Sequence, residues 1–316
     1  MTMTETLKFN EINKIPALTW NWLKMNSASL KIDADSDTIT EKKEISASKK
    51  DEVIYMPLTF EEGKSYIHEQ VITAEENSEI TLILDYSSSS QASGFSQIKT
   101  RLVAKPFSKI HLVKVQLLGK NYVQIDDTEG ECDENASISV TQLELGGSKV
   151  YAQVKVALTG YASKFKSDTA YITENGQTLD MNYLVEHFAH KTDTNMTVKG
   201  VVGKDSYKIY RGTIDFKKGC VESTGEEQEE TLLLSPSAVN KSIPMILCGE
   251  ENVSGNHGAT LGRLGADELF YMQSRGICES EAKNMMKKAK VFSLFSLIPN
   301  DEVRSKIEGF FAKEKL

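Results

Sequence analysis

The residue with the clearest chemical potential in this sequence is His257, which lies in a Gly-rich segment. The apolar residues 244–248 before it predict a strand, after which the chain is expected to turn. A short helix is predicted over residues 266–275, because Gly276 can adopt the left-handed conformation that ends a helix. The imidazole of His257 could bind a transition metal, or it could only hydrogen-bond the backbone of the turn. The residue pattern alone leaves both interpretations open.

The four cysteines are widely separated, at Cys132, Cys220, Cys248 and Cys278. A structural zinc site usually needs two ligands from one tight turn, and the sequence contains no Cys-x-x-Cys. A disulfide framework is not expected in a chain of this length without a secretion signal. We therefore expect most of these cysteines, Cys248 included, to be small buried residues.

Other polar clusters have plainer interpretations. The run Glu-Glu-Gln-Glu-Glu at 226–230 predicts a solvated acidic loop, with a cation-collecting cluster as the alternative. His187 and His190 fall in a predicted strand, where residues three apart point to opposite faces, so both are expected to be structural or surface residues. The acidic residues at 33, 35 and 37 resemble a calcium loop, but Thr38 stands where that loop needs glycine.

No catalytic motif is present in the sequence. It has no P-loop, no Gly-x-Ser-x-Gly and no His-Glu-x-x-His. A carbohydrate-cleaving solenoid would need paired carboxylates on adjacent turns of the chain, which spacing alone cannot reveal. We therefore expect no enzyme activity from this chain.

Composition limits the class of protein. The 316 residues carry a net charge of -8, and the acidic balance argues against a nucleic-acid-binding protein. No apolar segment reaches the roughly 20 residues that cross a bilayer. The first residues lack the apolar core of a signal peptide. The sequence therefore predicts a cytoplasmic protein with no membrane or nucleic-acid partner.

The N-terminal part, residues 1–52, is expected to be a partly helical segment followed by a polar linker over residues 31–52. Trp20 and Trp22 are expected to anchor the segment by packing. From residue 53 to about 222, apolar and polar residues alternate, which predicts strands buried on one face. The phase breaks once between Ile138 and Leu145, which suggests a bulge or bend. The clearest strands are 79–86, 110–118, 136–145, 149–158 and 206–216.

Two architectures fit this alternation, a β-sandwich and a β-solenoid, and no crisp repeat decides between them. Two C-terminal helices follow. The first is predicted over residues 280–295, and Asn300 is a suitable N-cap for the second. Their apolar stripes could pack on the core or could dock another protein. These stripes are Ala282, Met285, Met286, Ala289 and Phe292, and then Val303, Ile307, Phe310 and Phe311.

Two motifs near the C-terminus resemble a known family. Asn-His-Gly-Ala-Thr-Leu-Gly at 256–262 and Leu-Phe-Tyr-Met-Gln-Ser-Arg-Gly-Ile at 269–277 are similar to the signature of the SufB/SufD proteins of iron–sulfur cluster assembly. The match is nearer to the SufD branch. The resemblance implies a mainly β protein with a right-handed parallel β-helix core and helical regions at both ends. The implied division is residues 1–52, a β-helix core over 53–262 and a C-terminal helical region over 263–316.

The resemblance also implies a function. Such a chain would be a non-catalytic scaffold subunit that forms a heterodimer with a SufB-like subunit and docks a SufC-like ATPase through its C-terminal helices. A homodimer is the alternative when the chain is isolated. His257 matches the family histidine implicated in binding iron or a transient iron–sulfur cluster shared with the partner. Gly255 replaces the family cysteine two positions earlier, so this chain lacks that thiol.

A stand-alone β-solenoid that binds or cleaves carbohydrate is the competing hypothesis. A scaffold should co-purify with an ABC-type ATPase, whereas a carbohydrate protein should bind polysaccharide and ignore the ATPase. A SufB-type subunit is a narrower alternative, and the absence of a SufB-like cysteine motif argues against it.

Overall fold

The chain forms a two-sided parallel β-solenoid with helices packed along one side. A computed structural model describes residues 4–18, 21–35 and 38–313. Two eight-stranded sheets face each other, and each turn of the solenoid, called a rung here, gives one strand to each sheet. Every pairing within these sheets is parallel. The expected parallel β-helix is confirmed.

The odd-numbered strands form one sheet and the even-numbered strands form the other. The odd sheet contains β3 (Ile39–Ala47), β5 (Ser65–Ala74), β7 (Ser93–Ala104), β9 (Asn121–Cys132), β11 (Lys149–Leu158), β13 (Thr178–His187), β15 (Tyr207–Phe216) and β17 (Val239–Cys248). The even sheet contains β4 (Glu52–Thr59), β6 (Glu79–Ser87), β8 (Lys109–Leu117), β10 (Ser137–Glu144), β12 (Lys164–Thr173), β14 (Asp193–Val202), β16 (Ser223–Leu233) and β18 (Val253–Arg263).

The alternating segments of the sequence form the strands that they predict. Alternate side chains enter the space between the sheets and bury a continuous apolar core, so each rung covers the apolar face of the next. The solenoid is longer than the predicted range of 53–262, since it begins at Ile39 and ends at Arg263. The Gly-rich segment around His257 is strand β18 rather than the predicted turn.

The phase break in β10 is not a bulge. The strand keeps continuous register with β8 and β12, so the chain does not bend there. Ile138 and Val140 face the interior, and so do the polar Gln142 and Glu144. Leu143 faces outward instead and packs in a second apolar cluster under the C-terminal helices. The apolar residues therefore change phase because this sheet is covered on both faces.

A recurring left-handed corner joins the rungs. Asn77, Phe107, Asn135, Ala162 and Lys191 all have positive φ angles, between 50° and 62°. Each donates its backbone N–H to a carbonyl of the next rung at 2.8–3.1 Å. The corner is thus conserved in conformation from rung to rung while its residue type varies. This explains why the sequence shows no crisp repeat.

The N-terminal part differs from the predicted helical segment and linker. It forms an antiparallel two-stranded sheet of β1 (Thr4–Ile12) and β2 (Ala28–Asp35), with one helical turn at Asn21–Leu23. Ile12 and Leu30 from this sheet pack against the outer face of the odd sheet. Trp22 is exposed rather than packed, and Trp20 lies outside the described residues. The predicted linker contains most of β2 and all of β3.

The C-terminal region consists of α1 (Ala266–Ser274), α2 (Glu279–Phe292), a short 3-10 turn (Phe295–Leu297) and α3 (Asp301–Lys313). Gly276, with φ at +84°, follows α1 as predicted. The Asn300 side chain accepts a hydrogen bond from the Val303 N–H at 3.0 Å, which confirms the predicted cap of α3. None of the helices in the described part of the chain is long and apolar enough to cross a membrane.

Candidate functional site

His257 lies in the middle of β18, the last strand of the even sheet. Its register partner is Glu227 on β16. Paired residues of adjacent parallel strands project to the same face, so both side chains belong to the interior face of the sheet. No further rung covers β18, and His257 is therefore exposed although it faces inward. We call this uncovered last rung, β17 and β18, the open end.

Gly255 shows what the missing thiol would have contacted. A Cβ at this position would lie 2.9 Å from Phe216 and 3.2 Å from Ile246, both in or against the apolar core. Position 255 thus points inward, on the same face as His257 two residues later. A thiol here would lie against apolar side chains, and the glycine leaves His257 as the one side chain from Val253 to Gly262 of a type that commonly binds transition metals.

The acidic run at 226–230 is not the solvated loop that its composition suggests. It lies in β16, where alternate residues enter the interior. Glu227 and Glu229 are buried, whereas Glu226 is exposed. Lys208 enters the same region from β15 and forms an ion pair with Glu229. The strand places alternate residues inside, and because glutamates stand on both faces, the run 226–230 itself has no alternation of residue type that predicts this.

Burial sets the protonation of this interior cluster. It raises the pKa of Glu227 to about 7, and the neighbouring Glu229 adds to that increase, while Lys208 opposes it. It also lowers the pKa of Lys208, although the attraction to Glu229 opposes this. Glu227 is therefore a carboxyl group that gains or loses its proton near neutral pH, directly beneath the open end.

A second polar cluster lies deeper in the interior. Lys114 donates hydrogen bonds to Asp126 at 3.1 Å and to Thr128 at 3.0 Å. Gln142 donates to Glu144, whose pKa is raised to about 7, first by burial and then by repulsion from Asp126. The interior thus combines an apolar core with ionisable groups that no apolar periodicity predicts.

An open cavity of about 530 Å³ lies beside β16 and β18. It is lined mainly by the acidic run and by the first part of the His257 motif: Lys199, Glu226, Glu227, Gln228, Glu229, Glu230, Asn256, His257, Gly258 and Thr260. Carboxylate and imidazole groups in such a cavity suit divalent transition metals. No three histidine, cysteine, aspartate or glutamate side chains of the described residues cluster closely enough to hold a metal ion.

The other candidate histidines are structural, as predicted. His187 is buried at the end of β13, and its ring nitrogens lie 2.7 Å from the Thr192 hydroxyl and 2.9 Å from the Thr194 hydroxyl. Burial lowers the pKa of His187 to about 4. His190 is exposed beyond the strand. Neither lies in β18 with His257.

The cysteines divide into two pairs. Cys132 and Cys220 are buried, and burial raises the pKa of both thiols. Cys248 and Cys278 are exposed, so the prediction that Cys248 is buried is wrong. Cys248 lies at the end of β17, on the uncovered last rung, where no next rung shields it.

The helical region presents a second exposed surface. α1 has no buried residue, and Phe270 is 72% exposed and Tyr271 is 62% exposed. The predicted apolar stripe of α2 is only partly buried, because Ala282 is covered whereas Met285 is exposed. The apolar face of α3, in contrast, packs in the cluster over the even sheet. We call the exposed apolar residues of α1 and α2 the helical patch: Phe270, Tyr271 and Met285.

Comparison with known proteins gives consistent matches. The family model for the SufBD core domain, described as SUF system FeS cluster assembly, matches residues 58–290. An iron-sulfur cluster assembly SufBD family protein of Mycobacterium leprae is 23% identical over 198 residues, covering 63% of this chain and 23% of that protein. In Bacillus subtilis, SufD is 23% identical over 56% of this chain, and SufB is 22% identical over 58%.

These matches cover 38% of the length of that SufD and 40% of that SufB, so they span less than half of either relative. The match to the family model nonetheless extends over most of the solenoid and into α2. The predicted relationship to SufB and SufD proteins is confirmed. The chain belongs to the SufBD family of iron–sulfur cluster assembly proteins.

Proposed function

We propose that this chain is a SufD-like scaffold subunit without catalytic activity, which pairs with a SufB-like subunit through its open end. His257 would contribute a ligand to iron or to a nascent cluster at that interface. The cluster is cargo shared with the partner. The observation that carries the proposal is the position of His257, inward-facing yet exposed on the last rung. A partner that covers the open end would enclose this imidazole.

The two ends of the solenoid support this assignment of the interface. β3, at the first rung, carries the charged run Glu41, Lys42, Lys43 and Glu44, and charges of this kind discourage pairing at a strand edge. β18 has no charged residue from Val253 to Gly262. The open end also exposes Leu261. An uncharged edge with an exposed apolar residue favours association with another protein.

The helical patch supports a second contact. Its exposed aromatic residues and Met285 are the residue types that are enriched in protein interfaces. We assign it to a SufC-like ABC ATPase, which would hydrolyse ATP while this chain does not. The complex would operate in the cytoplasm. Family membership favours this assignment over the carbohydrate-binding alternative.

The test is anaerobic co-expression of the chain with its SufB-like and SufC-like partners. His257→Ala is expected to leave the complex intact and to remove most of the visible iron–sulfur absorbance. His190→Ala, a change at another exposed histidine, is the matched control and should have no effect. Unchanged absorbance in His257→Ala would show that His257 is not a ligand. Failure of the wild-type chain to form a complex would contradict the scaffold proposal itself.

A further inference from the structure

Glu227 lies one strand away from His257 on the interior face of the even sheet. The two residues are direct register partners in adjacent parallel strands, which lie about 4.8 Å apart. Both line the same open cavity. Side chains in this relation can reach a common ion, because neither has to cross another strand.

The carboxyl group of Glu227 is incompletely satisfied. The residue is only 2% exposed, and its Oε2 atom accepts no hydrogen bond of normal geometry from the described residues. The Tyr210 hydroxyl interacts with this carboxyl group, but its oxygen likewise makes no hydrogen bond of normal geometry. A buried carboxylate oxygen without a partner is costly, so such an atom points to a missing ligand or water. The nearby Lys208 is already hydrogen-bonded to Glu229.

Gly212 on β15 provides the space for this carboxyl group. A Cβ at position 212 would overlap the Glu227 carboxylate. Glycine is disfavoured inside a strand, and its presence there often marks a place where another group approaches closely. Because Gly212 has no side chain, it leaves room for the carboxyl group of Glu227 inside the solenoid.

We propose that Glu227 is a second metal ligand, which acts with His257 to form half of a site for a divalent transition-metal ion. This inference rests on the proposed role of His257. Imidazole and carboxylate are ligands that iron, cobalt and zinc accept. Two protein ligands leave several coordination positions open, and these are available to the partner subunit and to sulfide. The absence of a three-residue cluster among the described residues fits a half-site.

Co²⁺ alone is the probe, added anaerobically to the isolated full chain, and its binding is followed by visible absorbance. Glu227→Gln keeps the shape of the side chain and is expected to weaken Co²⁺ binding at least about tenfold, as is His257→Ala. Glu131→Gln removes the same charge from an exposed carboxyl group of β9, which does not line this cavity, and should change the affinity less than about twofold.

Glu227→Cys provides a gain of signal if the glutamine variant folds poorly. A thiolate that reaches the ion adds an intense sulfur-to-cobalt charge-transfer band that the wild-type chain lacks. Loss of binding in His257→Ala but not in Glu227→Gln, with no new band in Glu227→Cys, would overturn the role of Glu227 and leave that of His257 standing. Complex formation in the co-expression experiment tests the scaffold proposal separately, since it requires no metal readout.

Discussion

At the scale of single residues, the interior of this solenoid holds ionisable groups that most protein cores exclude. Lys114, Asp126 and Glu144 form one buried cluster, and Lys208 with Glu229 forms another. A buried ion pair contributes less stability than its short distances suggest, because desolvation opposes the attraction. One cluster lies in the middle rungs and the other lies near the open end, where the partner would bind.

The protonation of Glu144 should make stability depend on pH. Its pKa is about 7 in the folded chain and about 4.5 ordinarily, so folding favours the protonated form. That contribution is complete below about pH 4.5 and is lost as the pH rises through 7, up to about 3 kcal/mol. Glu144→Gln mimics the protonated group. Relative to wild type, its free energy of unfolding should therefore rise by about 2–3 kcal/mol between pH 5 and pH 8.

Denaturant unfolding at several pH values measures this difference. Glu131→Gln changes an exposed carboxyl group of β9 and should show no such trend, which makes it the matched control. A difference between wild type and Glu144→Gln that stays constant with pH would mean that Lys114 keeps Glu144 ionised in the folded chain.

At the scale of elements, the alternation of residues predicts the interior strands well. The strand predicted over 149–158 coincides with β11, and the strand predicted over 206–216 differs from β15 by one residue. The strand predicted over 136–145 also agrees with β10 within one residue at each end, but its predicted bulge or bend is wrong, because apolar residues pack on both faces of this strand. The loop predicted over 226–230 is wrong, because alternate charged residues of β16 point inward. In both strands, the residue types on each face depend on what packs against that face, and the local sequence does not show this.

The same limit applies to the candidate site. His257 could be found from its motif, because a motif is local. Glu227 could not, since its importance depends on the register between β16 and β18 across 30 residues of chain. The N-terminal sheet was missed although Leu30 and Ile32 alternate with polar residues, because the run is short and leads into a segment rich in aspartate and lysine, which predicts a linker.

The left-handed corners allow a test of what stabilises a rung. Ala162 has a φ angle of +54°, a region that costs residues with a Cβ about 1–2 kcal/mol. Ala162→Gly removes that strain and adds unfolded-state entropy, so a net stabilisation of about 0.5–1 kcal/mol is expected. Ala157→Gly in β11 is the matched control and should destabilise by a similar amount, because its backbone is extended.

Thermal unfolding of the two variants measures these effects. If Ala162→Gly destabilised the chain as much as Ala157→Gly, the positive φ angle would not cost the native corner measurable stability, because glycine keeps the same N–H bond to the His190 carbonyl. If Ala162→Gly stabilises the chain and Ala157→Gly destabilises it, the backbone conformation at each position determines the effect of glycine on stability.

At the scale of the whole molecule, the two ends of the solenoid differ in the charge of their terminal strands. β3 in the first rung carries the charged run 41–44, whereas β18 in the last rung has no charged residue from Val253 to Gly262 and leaves Leu261 58% exposed; the neighbouring β17 carries Lys241. The N-terminal sheet and the C-terminal helices pack along the sides of the solenoid, over the odd and even sheets respectively. We therefore expect a partner that associates along the solenoid axis to bind at β18.

Leu261→Glu tests this asymmetry. The change places a charge on the exposed inward face of β18 and should weaken binding to the SufB-like partner at least about tenfold. The melting temperature of the isolated chain should barely change, because Leu261 is largely exposed. Thr260→Glu adds the same charge on the outward face and is the control. Weakening by Thr260→Glu but not by Leu261→Glu, measured by titration of the partner, would place the contact on the outer face instead.

The repeating rung also sets the distances along the solenoid axis, because neighbouring strands of a sheet are evenly spaced. Lys149 pairs with Thr178, and Thr178 pairs with Tyr207, a step of 29 residues each time. The step varies elsewhere, from 26 residues between Val123 and Lys149 to 32 between Tyr207 and Val239, so the turns between strands absorb short insertions without a change of register. A whole added rung would instead lengthen the solenoid by about 4.8 Å and move His257, on the last rung, by that distance from the first rung.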